Sequence, residues 1–260
     1  MTELKAGSET IWIDGALGKL YGILQTPEAA GPVPLVILSH GFGANRLHMA
    51  PYADFLADQG FAAYSYDFGG GGPAPNQSEG SMLDMSVLTE AKDLENVLAY
   101  FEKDPRFSPI LLMGASQGGF VSSYVAAKMP DRIRALILLY PAFVLQDDAK
   151  KRRLPDGSFP EKDHIMAWTV GRKYDEDAVS FDIYQVIKDY TGPVLIIHGD
   201  ADRIVPLEYT KRAQAVFKDA KLEILTGEGH GFSPAGIHQA DKMILAFLDS
   251  LHLEAKDSMN

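Results

Sequence analysis

The feature that most constrains the fold is a serine that lies between a predicted strand and a predicted helix. Residues 110–113 form an apolar run of strand length, GASQG follows at residues 114–118, and residues 119–128 are compatible with a helix. Glycines two residues before and after the serine allow strand and helix to pass closely, and the tight turn between them exposes the serine hydroxyl. The pattern predicts strand, turn and helix around Ser116. A Gly-x-Ser-x-Gly motif also arises by chance, so its meaning depends on the rest of the chain.

Apolar runs alternate with helical patterns along the chain. Continuous apolar runs are typical of strands buried on both faces of a parallel sheet, and apolar residues three and four apart predict helices. This order predicts one α/β domain over residues 1–260, with a mostly parallel central sheet flanked by helices. The predicted hairpin is 10–14 with 19–24, the buried strands are 33–39, 61–66, 110–113, 134–140, 193–198 and 221–225, and the helices are 52–59, 86–101, 119–128, 207–217 and 242–251.

Two segments do not follow the alternation. Residues 142–192 mix charge clusters with aromatic residues and contain no buried-strand run, which predicts an insertion lying over the sheet. Residues 69–72 are four glycines, but they lack the Gly-x-Gly-x-x-Gly order of a dinucleotide site. A flexible crossover loop is the preferred interpretation there.

Composition excludes several classes of function. The chain has 24 basic and 35 acidic residues, a net charge of -11, which repels nucleic acid and anionic membranes, so we expect neither as a partner. It has no cysteine, and no histidine pair with nearby carboxylates predicts a metal site, so we expect no metal and no cofactor. Residues 1–9 lack the apolar segment of a secretory signal, which favours a cytoplasmic protein. A signal segment removed before residue 1 would not be visible in this sequence.

A serine hydroxyl becomes a nucleophile when a neutral histidine takes its proton and a carboxylate orients that histidine. His230 lies in a glycine-rich loop after the last predicted strand, and Asp202 lies in the loop after the strand at 193–198. Ser116, Asp202 and His230 therefore occur in the order of the α/β-hydrolase fold, and we predict them as catalytic residues. Asp200 is the alternative carboxylate, with bracing of its loop as its other role. His198 is interpreted as a buried, hydrogen-bonded residue.

Ester hydrolysis also needs donors aimed at the developing oxyanion. The backbone N–H of Gln117 is the first of the predicted elbow helix, and that of Phe42 follows the strand at 33–39. We predict these two amides as the oxyanion hole. The alternative for the His40-Gly41 pair is a tight turn and nothing more.

Four motifs in this order resemble the α/β-hydrolase superfamily of serine esterases and, within it, the bacterial feruloyl (cinnamoyl) esterases. They are HGFGANR at residues 40–46, GASQGG at residues 114–119, the Asp202 loop, and Gly229-His230. The likeness extends from about residue 10 to residue 251. It implies an α/β-hydrolase fold with a small inserted lid at about 142–192.

The resemblance also implies two substrate-binding residues on the lid. In that family an Asp and a Tyr bind the phenolic hydroxyl of the substrate, and they correspond here to Asp148 and Tyr174. The alternative is that both are ordinary surface residues of the insertion. The basic cluster at 150–153, and Ala115 and Gly43 at positions where the family often has His and Thr, are departures from the family pattern.

The function expected from these features is hydrolysis of hydroxycinnamate esters through an acyl-enzyme on Ser116, with a small-molecule ester as the partner. The alternatives are a short-chain carboxylesterase, a monoacylglycerol lipase, a peptidase and a non-catalytic hydrolase-fold binding protein. The peptidase is disfavoured because no propeller-like domain precedes the hydrolase region. The three catalytic residues are present, which disfavours binding alone. A homodimer is compatible with the sequence, which leaves the oligomeric state open.

Overall fold

The computed structural model describes residues 7–72 and 74–253 and contains one large sheet. Eight strands form it in the order β1-β2-β4-β3-β5-β6-β9-β10. Strand β2 pairs antiparallel with both β1 and β4, and the other neighbouring strands pair parallel. The predicted mostly parallel α/β sheet is confirmed. The strands are Ser8–Asp14 (β1), Lys19–Gln25 (β2), Val33–Ser39 (β3), Ala62–Tyr66 (β4), Phe107–Ala115 (β5), Leu136–Leu139 (β6), Lys162–Ile165 (β7), Trp168–Gly171 (β8), Val194–Gly199 (β9) and Ala220–Leu225 (β10).

Helices cover both faces of this sheet because its central strands are apolar on both sides. One apolar core joins α2 and α3 to the sheet, and a second joins α1 and α8 to the opposite face. The helices are Ala50–Asp58 (α1), Val87–Phe101 (α2), Gln117–Lys128 (α3), Leu145–Lys151 (α4), Arg172–Ala178 (α5), Ile183–Ile187 (α6), Leu207–Val216 (α7) and Pro234–Ser250 (α8).

The parallel register places several loops at one edge of the sheet. Ser39 of β3 pairs with Gly114 of β5, and Ala115 pairs with Leu139 of β6. Gly199 at the end of β9 pairs with Leu225 at the end of β10. The loops that carry Phe42, Ser116, Asp202 and His230 therefore all leave from neighbouring strand ends.

Residues 142–192 connect β6 to β9 and lie outside the large sheet. They contain the helices α4, α5 and α6 and a separate antiparallel hairpin of β7 and β8. Apolar side chains from this insertion, among them Leu145, Val170 and Ile183, join the core that contains α2 and α3. That the insertion acts as a lid remains a prediction.

Two elements begin well before their expected positions. Strand β5 begins at Phe107 because its first residues pair with β3 although they do not form an apolar run. Helix α8 begins at Pro234, eight residues earlier than predicted, because Ser233 caps it and proline suits its first position. The short helices and hairpin of the insertion were not predicted. The expectation about the amino terminus concerns residues 1–9, of which residues 1–6 lie outside the described part of the chain.

Candidate active site

The turn that carries Ser116 has the geometry predicted from its glycines. Ser116 has φ 52° and ψ -118°, a strained region for a residue with a side chain. A Cβ on Gly114 would overlap the carbonyl of Gly118, and a Cβ on Gly118 would overlap the carbonyl of Ser39. Glycine is therefore required at both positions, and the strain directs the serine hydroxyl away from the sheet.

Ser116, His230 and Asp202 form a continuous hydrogen-bonded chain. His230 Nε2 lies 2.9 Å from Ser116 Oγ, and His230 Nδ1 lies 2.7 Å from Asp202 Oδ2. Because a carboxylate only accepts, Nδ1 carries the proton and Nε2 is free to take the serine proton. The structure brings the three predicted residues together in the arrangement that nucleophilic catalysis needs.

The environment of Asp202 keeps this carboxylate ionised. Its side chain is completely buried, and its Oδ1 accepts from the amides of Ile204 at 2.8 Å and Val205 at 2.9 Å. Burial alone would raise the pKa of Asp202, but hydrogen bonds from His198, His230 and the Val205 amide outweigh it and hold the pKa well below the usual range. An ionised carboxylate in contact with His230 favours the protonated form of that imidazole.

Asp200, the alternative carboxylate, and His198 at the end of β9 have hydrogen-bond partners of their own. Asp200 is exposed and its Oδ1 accepts from the amide of Gly227 at 2.6 Å, which braces the loop. His198 is buried, with Nδ1 2.7 Å from Thr210 Oγ1 and Nε2 2.9 Å from the carbonyl of Val205. Its Nε2 also lies 3.2 Å from Asp202 Oδ2, a contact that sequence reasoning missed.

The predicted oxyanion amides lie beside the serine. Phe42 and Gln117 line the same cavity as Ser116, and a Cβ on Gly41 would lie 3.0 Å from Ser116 Cβ. Gln117 begins α3, so its amide has no partner within the helix. That these two amides form an oxyanion hole remains a prediction.

His40 fixes the loop that carries Phe42. It is completely buried; its Nε2 accepts from the amide of Phe68 at 3.0 Å, so its Nδ1 must donate to the carbonyl of Gly41, 2.8 Å away. Burial lowers the pKa of His40, which keeps the ring neutral and this pattern intact. The motif therefore does more than form a tight turn.

Trp168 of β8 packs on the same loop from the insertion. Gly43 has φ 63°, and a Cβ there would overlap Trp168 Nε1. The glycine that departs from the family pattern thus makes room for the indole.

A cavity of about 220 Å³ opens above Ser116. Its lining is mostly apolar, with polar groups at a few positions, as is typical of sites for small organic ligands. The lining residues are Phe42, Ser116, Gln117, Ala142, Val144, Leu145, Asp148, Arg152, Ile165, Met166, Tyr174, Ile204, Val205 and His230.

Asp148 and Tyr174 both line this cavity, but they differ in solvent exposure and in bonding partners. Asp148 is partly exposed and forms an ion pair with Lys151 at 2.8 Å. Tyr174 is buried, and its hydroxyl donates to Gln117 Oε1 at 2.6 Å. Burial raises the pKa of Tyr174 well above its usual value, so the phenol is neutral. Binding of substrate by these two residues remains a prediction.

Two ionisable residues near the cavity were not predicted as part of the site. Arg152 lines it and donates from Nε to Asp175 Oδ1 at 3.0 Å. Glu90 of α2 is buried, and its Oε2 accepts from Gln117 Nε2 at 2.9 Å. Burial raises the pKa of Glu90 to about 8.

Two kinds of feature are absent from residues 7–72 and 74–253. No group of three or more His, Asp and Glu side chains there is arranged to hold a metal ion. No helix in that part of the chain has the length and apolar character needed to cross a membrane.

Known families match most of the chain. The family described as serine aminopeptidase, S33 matches residues 30–183, and the family described as TAP-like protein matches residues 167–259. A solved structure described as ferulic acid bound to Est1E from Butyrivibrio proteoclasticus superimposes with a TM-score of 0.84 at 27% identity, covering 93% of this chain and 98% of that one.

Curated relatives have varied descriptions. A putative non-heme chloroperoxidase from Synechocystis sp. is 25% identical and aligns with 82% of this chain and 90% of its own length. The mitochondrial palmitoyl-protein thioesterase ABHD10 of Mus musculus is 26% identical, over 68% of this chain and 61% of its own. The fold and these matches show that the chain belongs to the α/β-hydrolase superfamily, in the family described as serine aminopeptidase, S33.

Proposed function

We propose that this hydrolase cleaves esters of hydroxycinnamic acids through an acyl-enzyme on Ser116. The observation that carries the proposal is the cavity, which joins Ser116 and His230 to Tyr174 and Asp148 through an apolar lining. A hydroxycinnamoyl group needs such a slot, apolar along the ring and polar where the ring hydroxyl lies. The similarity to a protein solved with ferulic acid supports this substrate class.

In the proposed reaction Ser116 Oγ attacks the ester carbonyl carbon while its proton passes to His230 Nε2. The amides of Phe42 and Gln117 donate to the negative oxygen that forms. His230 then protonates the leaving alcohol as the carbon–oxygen bond breaks. A water molecule attacks the acyl-enzyme by the same route, releasing the acid and restoring the Ser116 hydroxyl.

Short-chain carboxylesterase activity is a second candidate because apolar side chains at the cavity are open to solvent. Met166 is 73% exposed and Ile204 is 49% exposed, and both line the cavity. They are suited to contact an aliphatic acyl or alcohol group, for which a polar wall offers no advantage.

The test compares kcat/KM for methyl ferulate, p-nitrophenyl butyrate and an amino-acid p-nitroanilide, which probes peptidase activity. We expect methyl ferulate to be preferred, and Ser116→Ala to lose at least about 1,000-fold on every substrate that is hydrolysed. Ser122→Ala is the matched control, since Ser122 lies buried in the same helix and its hydroxyl has no hydrogen-bond partner among the described residues. Preference for butyrate with no turnover of ferulate would replace the proposed substrate class with the second candidate.

A further inference from the structure

His198 lies beside Asp202, the predicted catalytic carboxylate, on the side away from His230. Side chains alternate along a strand, so in β9 it shares a face with Val194 and Ile196, which belong to the apolar core that also contains part of α7. His198 and Thr210 of α7 are both completely buried. A polar pair in apolar surroundings costs free energy unless its hydrogen bonds are made, so the partners of His198 decide what the residue does.

The groups around His198 fix its tautomer. Nε2 lies 2.9 Å from the carbonyl oxygen of Val205 and 3.2 Å from Asp202 Oδ2. A carbonyl and an ionised carboxylate only accept, so Nε2 carries a proton and shares it between the two oxygens. In the neutral ring Nδ1 is then an acceptor, and the Thr210 hydroxyl, 2.7 Å away, donates to it. Thr210 therefore holds the ring in the tautomer that directs an N–H at Asp202.

Asp202 is held by four donors. Its Oδ1 accepts from the amides of Ile204 at 2.8 Å and Val205 at 2.9 Å. Its Oδ2 lies 2.7 Å from His230 Nδ1 and 3.2 Å from His198 Nε2. A carboxylate offers about four lone-pair directions, and here a donor lies at each of the two oxygens twice. Rotation of the carboxylate would break at least one of these contacts.

Val205 joins the carboxylate to His198 a second time. Its amide donates to Asp202 Oδ1, and its carbonyl accepts from His198 Nε2, so the loop after β9 is closed onto the strand that precedes it. Loss of the His198 N–H would leave the buried Val205 carbonyl without this partner and remove one donor from Asp202 Oδ2. Asp202 contacts His230 through that same oxygen, so a shift of the loop would change the position of the base.

We propose that His198 is a positioning residue for the carboxylate of Asp202, with Thr210 fixing its tautomer. The Nε2–H of His198 holds Asp202 Oδ2 and the Val205 carbonyl in place, and Asp202 in turn orients His230. Neither His198 nor Thr210 lines the substrate cavity, so both act through Asp202 and not on the substrate. This inference rests on the acyl-enzyme mechanism of the proposed function and is independent of which ester class the enzyme prefers.

The experiment replaces His198 by two amides of different reach and measures kcat and KM with the better substrate of methyl ferulate and p-nitrophenyl butyrate. The side-chain nitrogen of glutamine can occupy the place of Nε2, whereas that of asparagine reaches only the place of Nδ1. His198→Asn and His198→Leu leave no donor beside Asp202 and should lower kcat by about 10- to 100-fold. His198→Gln keeps the donor and should stay within about fivefold of wild type. KM should change by less than about threefold in all three variants, because His198 does not contact the substrate cavity.

Substitution of Thr210 tests the tautomer without altering the imidazole. Thr210→Val has nearly the same shape but no hydroxyl, so Nδ1 loses its donor and the ring its fixed orientation. The loss of one such hydrogen bond should lower kcat by about two- to tenfold. Thr210→Ser keeps the hydroxyl and should retain most of kcat, which makes it the matched control.

Urea unfolding of each variant separates positioning from general damage, because kcat should follow the presence of the donor and not the free energy of unfolding. A folded His198→Leu variant with the kcat of wild type, or equal kcat in His198→Asn and His198→Gln, would overturn this inference and leave the acyl-enzyme on Ser116 standing. Equal kcat in Thr210→Val and Thr210→Ser would overturn it as well, and this pair decides the matter if the His198 variants do not fold. A wild type that hydrolyses both esters no faster than Ser116→Ala would overturn the proposed function and, with it, this inference.

Discussion

Glu90→Gln should flatten the dependence of stability on pH. Burial raises the pKa of Glu90 from 4.5 to about 8 in the folded protein. Its stabilising contribution is complete below pH 4.5 and is lost as pH rises toward 8, because the unfolded chain releases the proton that the folded chain retains. The difference of about 3.5 pH units, at about 1.4 kcal/mol per unit, corresponds to about 5 kcal/mol. Hydration and relaxation around the carboxylate reduce this figure, and we expect at least about 2 kcal/mol to remain.

The assay is urea unfolding of wild type and Glu90→Gln at pH 5 and pH 9. Glutamine leaves an unpaired amide where Glu90 Oε1 lies, so the absolute stability of the variant will differ at every pH. The informative quantity is the change between the two pH values, which should be at least about 2 kcal/mol smaller in the variant. Glu95→Gln is the matched control, since it removes a partly exposed carboxylate from the same helix. Equal changes in wild type and Glu90→Gln would refute the reasoning.

Two further substitutions test the site. Asp202→Asn should lower kcat/KM for ester hydrolysis by about 1,000- to 10,000-fold, because an amide cannot stabilise protonated His230. Asp200→Asn can still accept from Gly227 and should stay within about threefold of wild type in the same assay. Similar losses in both variants would contradict the assignment of Asp202. Gly43→Ala should lower the free energy of unfolding by about 1–3 kcal/mol, because alanine is strained at φ 63° and its Cβ overlaps Trp168. A variant that unfolds in urea like wild type would show that this contact is absent in solution.

Much of the sheet could be predicted from the sequence because buried parallel strands are apolar throughout. The runs at 33–39 and 193–198 correspond closely to β3 and β9. The close passage at Gly114 and Gly118 was also predictable, because a strained serine turn demands it. The elements of the insertion were harder to predict. Strand β7 alternates between exposed and half-buried positions, so its sequence contains no apolar run.

The residues around the predicted site could be predicted from the sequence to different degrees. Glu90 occurs three residues after Val87 and four before Leu94, inside the apolar stripe of α2, so a buried carboxyl group was a detectable signal. The contact of His198 with Asp202 depends on the path of the loop after β9, which no periodicity encodes. The ion pair of Arg152 with Asp175 joins two short helices whose packing follows from tertiary structure alone.

The contact between Gly43 and Trp168 links two parts of the molecule that lie far apart in the sequence. One belongs to the loop that carries the Phe42 amide, and the other belongs to the hairpin of the insertion. An insertion taken from another hydrolase would bring a different side chain to this place, and the loop would relax or clash with it. Exchange of the insertion between relatives should therefore succeed only when position 43 is exchanged with it.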